Sequence, residues 1–366
     1  MLLREGQVRI PSGCAITGII NKNKKSFSGI KIIQSITLMH ERSNGLGGGF
    51  AAYGIYPDYK DFYAIHMFFD NKNVKCLAEE YLNEYFEIVE SGEIPVRKTK
   101  SITDIPLIWR YFVIPTKGKL IETSLDEEEY IVRFILHVNA NMQGAFVVSA
   151  GKNMGVFKGV GYPEDIGEFY GLDNYKAYLW TAHGRFPTNT PGWWGGAHPF
   201  SLLDMTVVHN GEISSYDTNR KNLEMYGYKC SLQTDTEVIT YIFDLLLRRH
   251  NLPLDIAVAA IASPFWRDIE RMEEPKKSLM KKIRFIYSGL LVNGPFSIIF
   301  ADSKGLVALN DRLKLRSMVA AQKDDFVYVA SEESAVRVIC ENPDRIWAPQ
   351  GGEAVSVQFT EEQSLC

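Results

Sequence analysis

The sequence predicts an α+β fold in which sheets are layered with helices. Strand-like apolar runs crowd both ends of the 366-residue chain and helix patterns fill the region between them. No G-x-G-x-x-G turn marks the wound, dinucleotide-binding kind of sheet. With 46% hydrophobic and 23% charged residues, the chain is an ordinary globular one, long enough for one large domain or two.

Residues 1–13 are mixed in polarity and close on Pro11-Ser12-Gly13. Cys14-Ala15-Ile16-Thr17-Gly18-Ile19-Ile20 reads as a buried strand that begins at the cysteine. Over 26–42, Ile30, Ile33, Ile36 and Leu38 among polar neighbours predict a helix that closes on His40-Glu41-Arg42. Gly45, Gly47, Gly48 and Gly49 then require a tight turn or a close neighbour of the backbone. No Lys-Ser/Thr follows them, which excludes a phosphate cradle. Ala51 to Tyr56 is again a strand.

From about 58 to 145 the pattern is that of a compact α+β insertion. It holds a strand at Tyr63–Phe69 and a helix from Val74 to Ile88, with Leu77, Tyr81, Leu82, Tyr85 and Phe86 on one side. A strand follows from Ile105 to Pro115. Asp126-Glu127-Glu128-Glu129 then opens a helix to Asn141, acidic residues suiting the positive end of its dipole. Gly144–Ala150 and Val156–Val160 read as strands joined by a turn, and Gly161–Ile166 leads into a short helix. Helices are predicted from Tyr216 and from Val238 to Leu247, the latter with Thr234 or Asp235 placed as N-cap. A helix-rich region covers 253–287. Strands return at Phe296–Ala301, Leu306–Leu309, Phe326–Ala330 and Ala354–Phe359.

Charge and composition exclude several classes. A net charge of −4 supplies no basic excess to track phosphates, so no nucleic-acid partner is expected. The five cysteines are scattered without C-x-x-C spacing, which argues against a disulfide framework or a metal site and for a reduced, cytoplasmic setting. No apolar run approaches a membrane span, and the first residues lack the apolar core of a signal peptide.

Chemistry concentrates in one stretch. The apolar Ala177-Tyr178-Leu179-Trp180 runs into Thr181-Ala182-His183-Gly184-Arg185-Phe186-Pro187-Thr188-Asn189-Thr190, followed by His198-Pro199-Phe200 and Val207-Val208-His209-Asn210-Gly211-Glu212. Strand ends are where a rigid scaffold presents reactive groups. An arginine there offers a bidentate fork to a carboxylate. An asparagine amide beside a glycine N–H offers two donors to an oxyanion.

These motifs resemble the class II glutamine amidotransferases, a group of N-terminal-nucleophile (Ntn) hydrolases. Asn310-Asp311-Arg312, Leu315-Arg316 and Ala330-Ser331-Glu332 follow in the family's order. Within the family, the chain is most similar to the amidotransferase part of glutamate synthase in its separate-subunit form. The similarity covers nearly all of the chain after residue 13. It implies a four-layer αββα Ntn-hydrolase sandwich carrying the insertion, with residues 1–13 a leader removed on maturation and 14–366 the amidotransferase domain.

The resemblance makes Cys14 the catalytic nucleophile and, once Gly13 is cleaved off, its own α-amine the base. The chemistry is sound, because an α-amine titrates near ~7.7–8.0 and accepts a proton where a peptide nitrogen does not. It implies that Arg185, with Phe186 and Thr188 beside it, takes the α-carboxylate of glutamine, and that Asp235 takes the α-ammonium. Asn210 and the Gly211 N–H hold the oxyanion. Arg42, His209 and Glu212 are site-lining candidates, while His183, His198 and His209 read as structural hydrogen-bonders. Sulfur attack expels ammonia and leaves a γ-glutamyl thioester that water hydrolyses to glutamate. No metal and no cofactor is expected in this chain; flavin and iron–sulfur groups belong to the partner subunits. The implied partner is a synthase subunit that uses the ammonia to aminate 2-oxoglutarate. Asn44–Gly49 and Asn189–Gly196, with Trp193 and Trp194, are expected to act as lids. The residues leave other readings open: an amidotransferase for another acceptor, an unprocessed glutamine-binding regulatory module, or an amide hydrolase of another substrate.

Overall fold

The computed structural model describes residues 13–187 and 192–360. Two antiparallel sheets lie face to face. In the first, of seven strands, Ala15–Asn21 is flanked by Phe326–Ala330 and Leu179–Gly184, and beyond the latter come Gly48–Tyr53 and Met154–Gly159. The second has five strands and runs from Phe200–Leu202 through Met205–Gly211, Phe296–Asp302 and Gly305–Asn310 to Ala354–Gln358. Helices Ile30–Thr37, Pro163–Phe169 and Glu333–Arg337 cover the outer face of the first sheet, and Asp235–Asp244 covers that of the second. This is a four-layer αββα sandwich.

The strand Ala15–Asn21 shows why its sequence is apolar throughout. Every one of its residues is buried, because one face meets the second sheet and the other meets a helix. Alternation assigns the faces. A β-carbon on Gly18 would stand 3.0 Å from Leu306 and 3.4 Å from Ile299 of the second sheet, so the glycine permits a close sheet-to-sheet approach. Thr17, on the opposite face, bonds Ser35 of the helix Ile30–Thr37 at 2.8 Å. A second pin between the sheets is the buried Tyr53 hydroxyl, at 2.8 Å from each of Asp204 O, Thr206 Oγ1 and Ala301 O.

Several sequence expectations are corrected. The first helix covers only Ile30–Thr37, with a separate turn at His40–Arg42, and it buries Ile32, Ser35 and Ile36 while Ile30 and Leu38 face solvent. The insertion helix is Lys72–Tyr85, and the chain from Phe86 to Glu93 is a strand, with Phe86 in the core and Leu77 exposed. Local apolar spacing fits either period over such short runs, and packing decides. The strands Ala145–Lys152 and Met154–Gly159 do follow one another through a turn at Asn153, whose φ is 52°, yet they belong to different sheets. Ala145–Lys152 completes a four-stranded sheet with Tyr63–Phe69, Leu107–Pro115 and Phe86–Glu93, so the insertion's sheet extends through Lys152. The insertion is fused to the sandwich, since Phe69, Leu82 and Phe134 share one core with Leu202, Phe243 and Phe300.

Candidate active site

The site forms where three strand ends meet at one end of the sandwich. Cys14 precedes the strand Ala15–Asn21, Arg185 follows Leu179–Gly184, and Asn210 and Gly211 close Met205–Gly211. Antiparallel pairing of Ala15 with Gly184 brings the first two together. The helix Asp235–Asp244 packs on the third strand and delivers Asp235 at its first turn. Thr234 is its N-cap, its side chain accepting from Thr236 N at 3.3 Å, which leaves Asp235 free of capping duty.

The result is a pocket of about 250 Å³ lined by Cys14, Arg185, Phe186, Gly211, Glu212 and Asp235, with His209, Tyr216 and Gln233 among the others. The Phe186 N–H donates to Cys14 Sγ at 3.3 Å. Burial pushes the Cys14 thiol up, and Asp235 adds to this; the Phe186 N–H and the charges of Arg185 and Arg316 oppose it without cancelling it. A thiol held protonated in this way needs a base before it can attack.

The Arg185 backbone is fixed by Gly47 O, 2.8 Å from its N–H, while its own carbonyl accepts from Ser43 Oγ at 3.2 Å. Gly47 is required here, because a β-carbon there would meet Arg185 Cδ at 3.0 Å. Burial works against the Asp235 carboxylate, but His209, the Ile213 N–H at 3.2 Å and Thr236 outweigh it and hold it below the usual range. An ionised carboxylate and a guanidinium thus face one small cavity, the arrangement that an amino-acid head group requires.

Asn210 is fully buried. Its Nδ2 donates to Ser331 Oγ at 3.3 Å, and its Oδ1 has no partner among the described residues. Ser331 also accepts from Ile16 N at 3.1 Å, so one hydroxyl ties the asparagine side chain to the cysteine strand. Gly211 has φ +152°, and a β-carbon there would collide with Pro295 O at 2.0 Å. Gly211 lines the pocket, whereas Asn210 beside it is buried and does not. Arg42 stands outside the cavity, donating through Nε to Cys14 O at 3.1 Å and pairing with Glu332 at 2.9 Å. Thr188 lies outside the described residues.

The three histidines form a cluster at the pocket wall, where His198 and His209 line the cavity and His183 lies behind them. His183 bonds His209 O at 2.9 Å and stacks on His198 at 4.1 Å. Thr236 Oγ1 bonds His198 at 2.6 Å and His209 at 3.2 Å. Burial pushes His183 down to about 3 and His198 well below the usual range, so both are neutral at physiological pH.

The expected lids are built differently. Gly48 and Gly49 belong to a strand, and a β-carbon on Gly49 would lie 2.3 Å from His198 O, so that glycine serves a close backbone approach. Trp194 packs edge-on against Phe68 and Trp193 against Phe146, and neither lines the pocket. Residues 188–191 of the second expected lid lie outside the described residues. Sequence reasoning also missed Lys158, a buried lysine bonded to Gly195 O at 3.0 Å, and the buried Glu237. A lone charge inside the apolar run Val156-Phe157-Lys158-Gly159 was the available signal.

A family model described as glutamine amidotransferases class-II matches residues 61–234. The chain is 49% identical over 345 residues to an uncharacterised protein of Archaeoglobus fulgidus, covering 93% of this chain and 91% of that one. It is 24% identical over 336 residues to a putative glutamine amidotransferase of Methanothermobacter thermautotrophicus, covering 90% and 95% of the two chains. Similarity to the NADPH glutamate synthase large chain of Bacillus subtilis is 25% over 279 residues, 69% of this chain but 18% of that protein.

Proposed function

The chain belongs to the class II glutamine amidotransferases, and from that premise we propose that, once it begins at Cys14, it hydrolyses the side-chain amide of glutamine and hands the ammonia to a separate synthase subunit. The observation that carries the reading is the shared pocket: a cysteine thiol, a guanidinium and an ionised carboxylate face one cavity of about 250 Å³.

In this reading Arg185 holds the substrate carboxylate and Asp235 its ammonium, which aims the side-chain amide at Cys14. The Cys14 α-amine takes the thiol proton as sulfur adds to the amide carbon. The Gly211 N–H at the pocket wall receives the oxyanion, joined in the substrate complex by the second N–H of Asn210 Nδ2, whose first is used on Ser331 and which lies just behind the wall before substrate enters. The amine then gives its proton to departing ammonia, and water cleaves the thioester by the same route. The thiol's upward shift is the reason a base is needed at all.

A synthase that aminates 2-oxoglutarate is the proposed acceptor, supported by similarity to the glutamate synthase chain over 69% of this sequence. The test measures glutamate release from glutamine by the chain beginning at Cys14, alone and with the candidate synthase subunit and 2-oxoglutarate. Turnover that rises with this partner supports the assignment. A rate that ignores it, yet responds to a sugar-phosphate acceptor enzyme, transfers the assignment to that acceptor. No glutamate from either mixture overturns the amidotransferase reading.

A further inference from the structure

Arg316 has no part in the scheme above, yet its side chain points at the residue pair where the chain would be cut. A β-carbon built on Gly13 would lie 3.2 Å from Arg316 Nη1, 3.7 Å from Arg42 Nη2 and 3.7 Å from Asn210 Oδ1. Removing Gly13 therefore leaves the new Cys14 amine at the edge of a space bordered by two guanidiniums and a buried amide oxygen. The two arginines differ. Arg42 is paired with Glu332 at 2.9 Å, which offsets its charge. Arg316 has a buried Nε without a hydrogen-bond partner among the described residues, and its backbone is pinned by Asn310 Nδ2, 2.6 Å from Arg316 O. A guanidinium whose backbone is anchored by a buried asparagine, and which is left partly unsatisfied beside a future amine, is positioned for that amine.

We propose that Arg316 is a positioning residue for the α-amine of Cys14: its charge disfavours the ammonium form, so that the amine stays an unprotonated base, while Asn210 Oδ1 accepts one of the amine's hydrogens. The inference rests on the amidotransferase reading in that it takes Cys14 as the first residue. The charged groups facing Cys14 are Asp235, Arg185 and Arg316, with Arg42 and its partner Glu332 behind its carbonyl. Asp235 and Glu332 favour an ammonium and the three arginines oppose it, so losing one arginine shifts the balance toward the protonated, inactive base. The same positive charge favours a thiolate, so both groups titrate higher without it.

The test compares the chain beginning at Cys14 with its Arg316→Gln and Arg316→Lys variants. The acid limb of kcat/KM for glutamine, and separately the alkylation of Cys14 by iodoacetamide without glutamine, are followed against pH. Arg316→Gln should move both midpoints up by about half a pH unit or more, a loss of about threefold on the acid limb, whereas Arg316→Lys should restore them. A merely structural role lowers amplitude and leaves the midpoints in place, and that outcome overturns the proposal. Should Arg316→Gln fail to fold, the Cys14 nitrogen is titrated directly by ¹⁵N NMR in the unsubstituted protein. A midpoint below the ordinary ~7.7–8.0 of an α-amine is expected, and one at or above it overturns the proposal. Alkylation and nitrogen titration need no turnover, so absent glutaminase activity sinks the functional reading while leaving this one testable.

Discussion

Two polar clusters lie on either side of the strand end at His209, and they treat the same kinds of side chain in opposite ways. On the pocket side, Arg185 and Asp235 keep their charges although both are largely buried: the neighbours of Asp235 outweigh its burial, while burial lowers Arg185 from a starting point so high that its guanidinium stays protonated. Beyond the pocket side, His183, Lys158 and Glu237 are buried, as is His198 although it reaches the cavity wall, and burial moves every one of them toward its neutral form. The lesson is that residue type does not make a catalytic group. Three histidines within ring-stacking and hydrogen-bond reach would be the first guess for acid–base chemistry, yet two of them cannot hold a proton near neutral pH.

The largest effects should come from the pocket side. Cys14→Ala should abolish glutamate formation while still binding glutamine, measured by calorimetry beside the activity assay. Asn210→Ala should lower kcat by about a hundredfold or more with little change in KM. Arg185→Lys keeps the charge but loses the fork, so it should mainly raise KM. If Arg185→Lys reduced kcat and Asn210→Ala raised KM instead, the assignments of clamp and oxyanion donor would have to be exchanged.

The far cluster should respond in stability instead. His183→Asn leaves buried neighbours unpaired, a cost of about 1–3 kcal/mol, with kcat nearly unchanged. The pH dependence has a definite sign. His183 titrates at about 3 in the folded protein against an ordinary 6.5, so only the unfolded chain takes up a proton between those values. Stability is fully present above pH 6.5 and declines as the pH falls toward 3. Thermal melting between pH 7 and pH 4 should show a shallower decline in His183→Asn than in the parent. A drop in kcat comparable to that of Asn210→Ala would erase the distinction between the two clusters.

Much of this was legible in the sequence. Runs such as Ile16–Ile20 and Phe296–Ala301 are apolar throughout because both faces of their strands are covered, and Asp126 caps its helix at Glu129 N as the acidic start predicts. The strand ends carrying Arg185 and Asn210-Gly211 were marked by polar groups following apolar runs. What stayed hidden depends on contacts distant in sequence. Ser331 lies 121 residues from Asn210, and the approach of Arg316 to Gly13 spans most of the described chain. The glycine run carried two signals: the close neighbour that it requires is there, since Gly47 and Gly49 are small so that Arg185 and the His198 carbonyl can approach, whereas the lid expected of the same run meets a strand at Gly48 and Gly49.

The smallest effect on activity, and the sharpest test of the comparison, belongs to Lys158. Its ammonium has Gly195 O at 3.0 Å and the face of Phe200 at 4.4 Å, and burial, reinforced by the charge of Arg185, pushes it down to about 7 from 10.5. Glu237 cannot compensate at neutral pH, because burial pushes its carboxyl up to about 8 and so keeps it protonated. Below about pH 7 the folded protein must therefore hold a buried, poorly answered charge that the unfolded chain carries freely in water. Lys158→Met keeps most of the volume and removes that cost. The variant should melt higher than the parent at pH 6, and its advantage should shrink as the pH rises from 7 toward 10.5, where only the unfolded parent still binds the proton. Turnover should change little, since Lys158 does not line the pocket. A variant less stable than the parent at pH 6, or one whose advantage grows with pH, would show that Lys158 is charged and well paired, and the far cluster would then differ from the pocket in position alone.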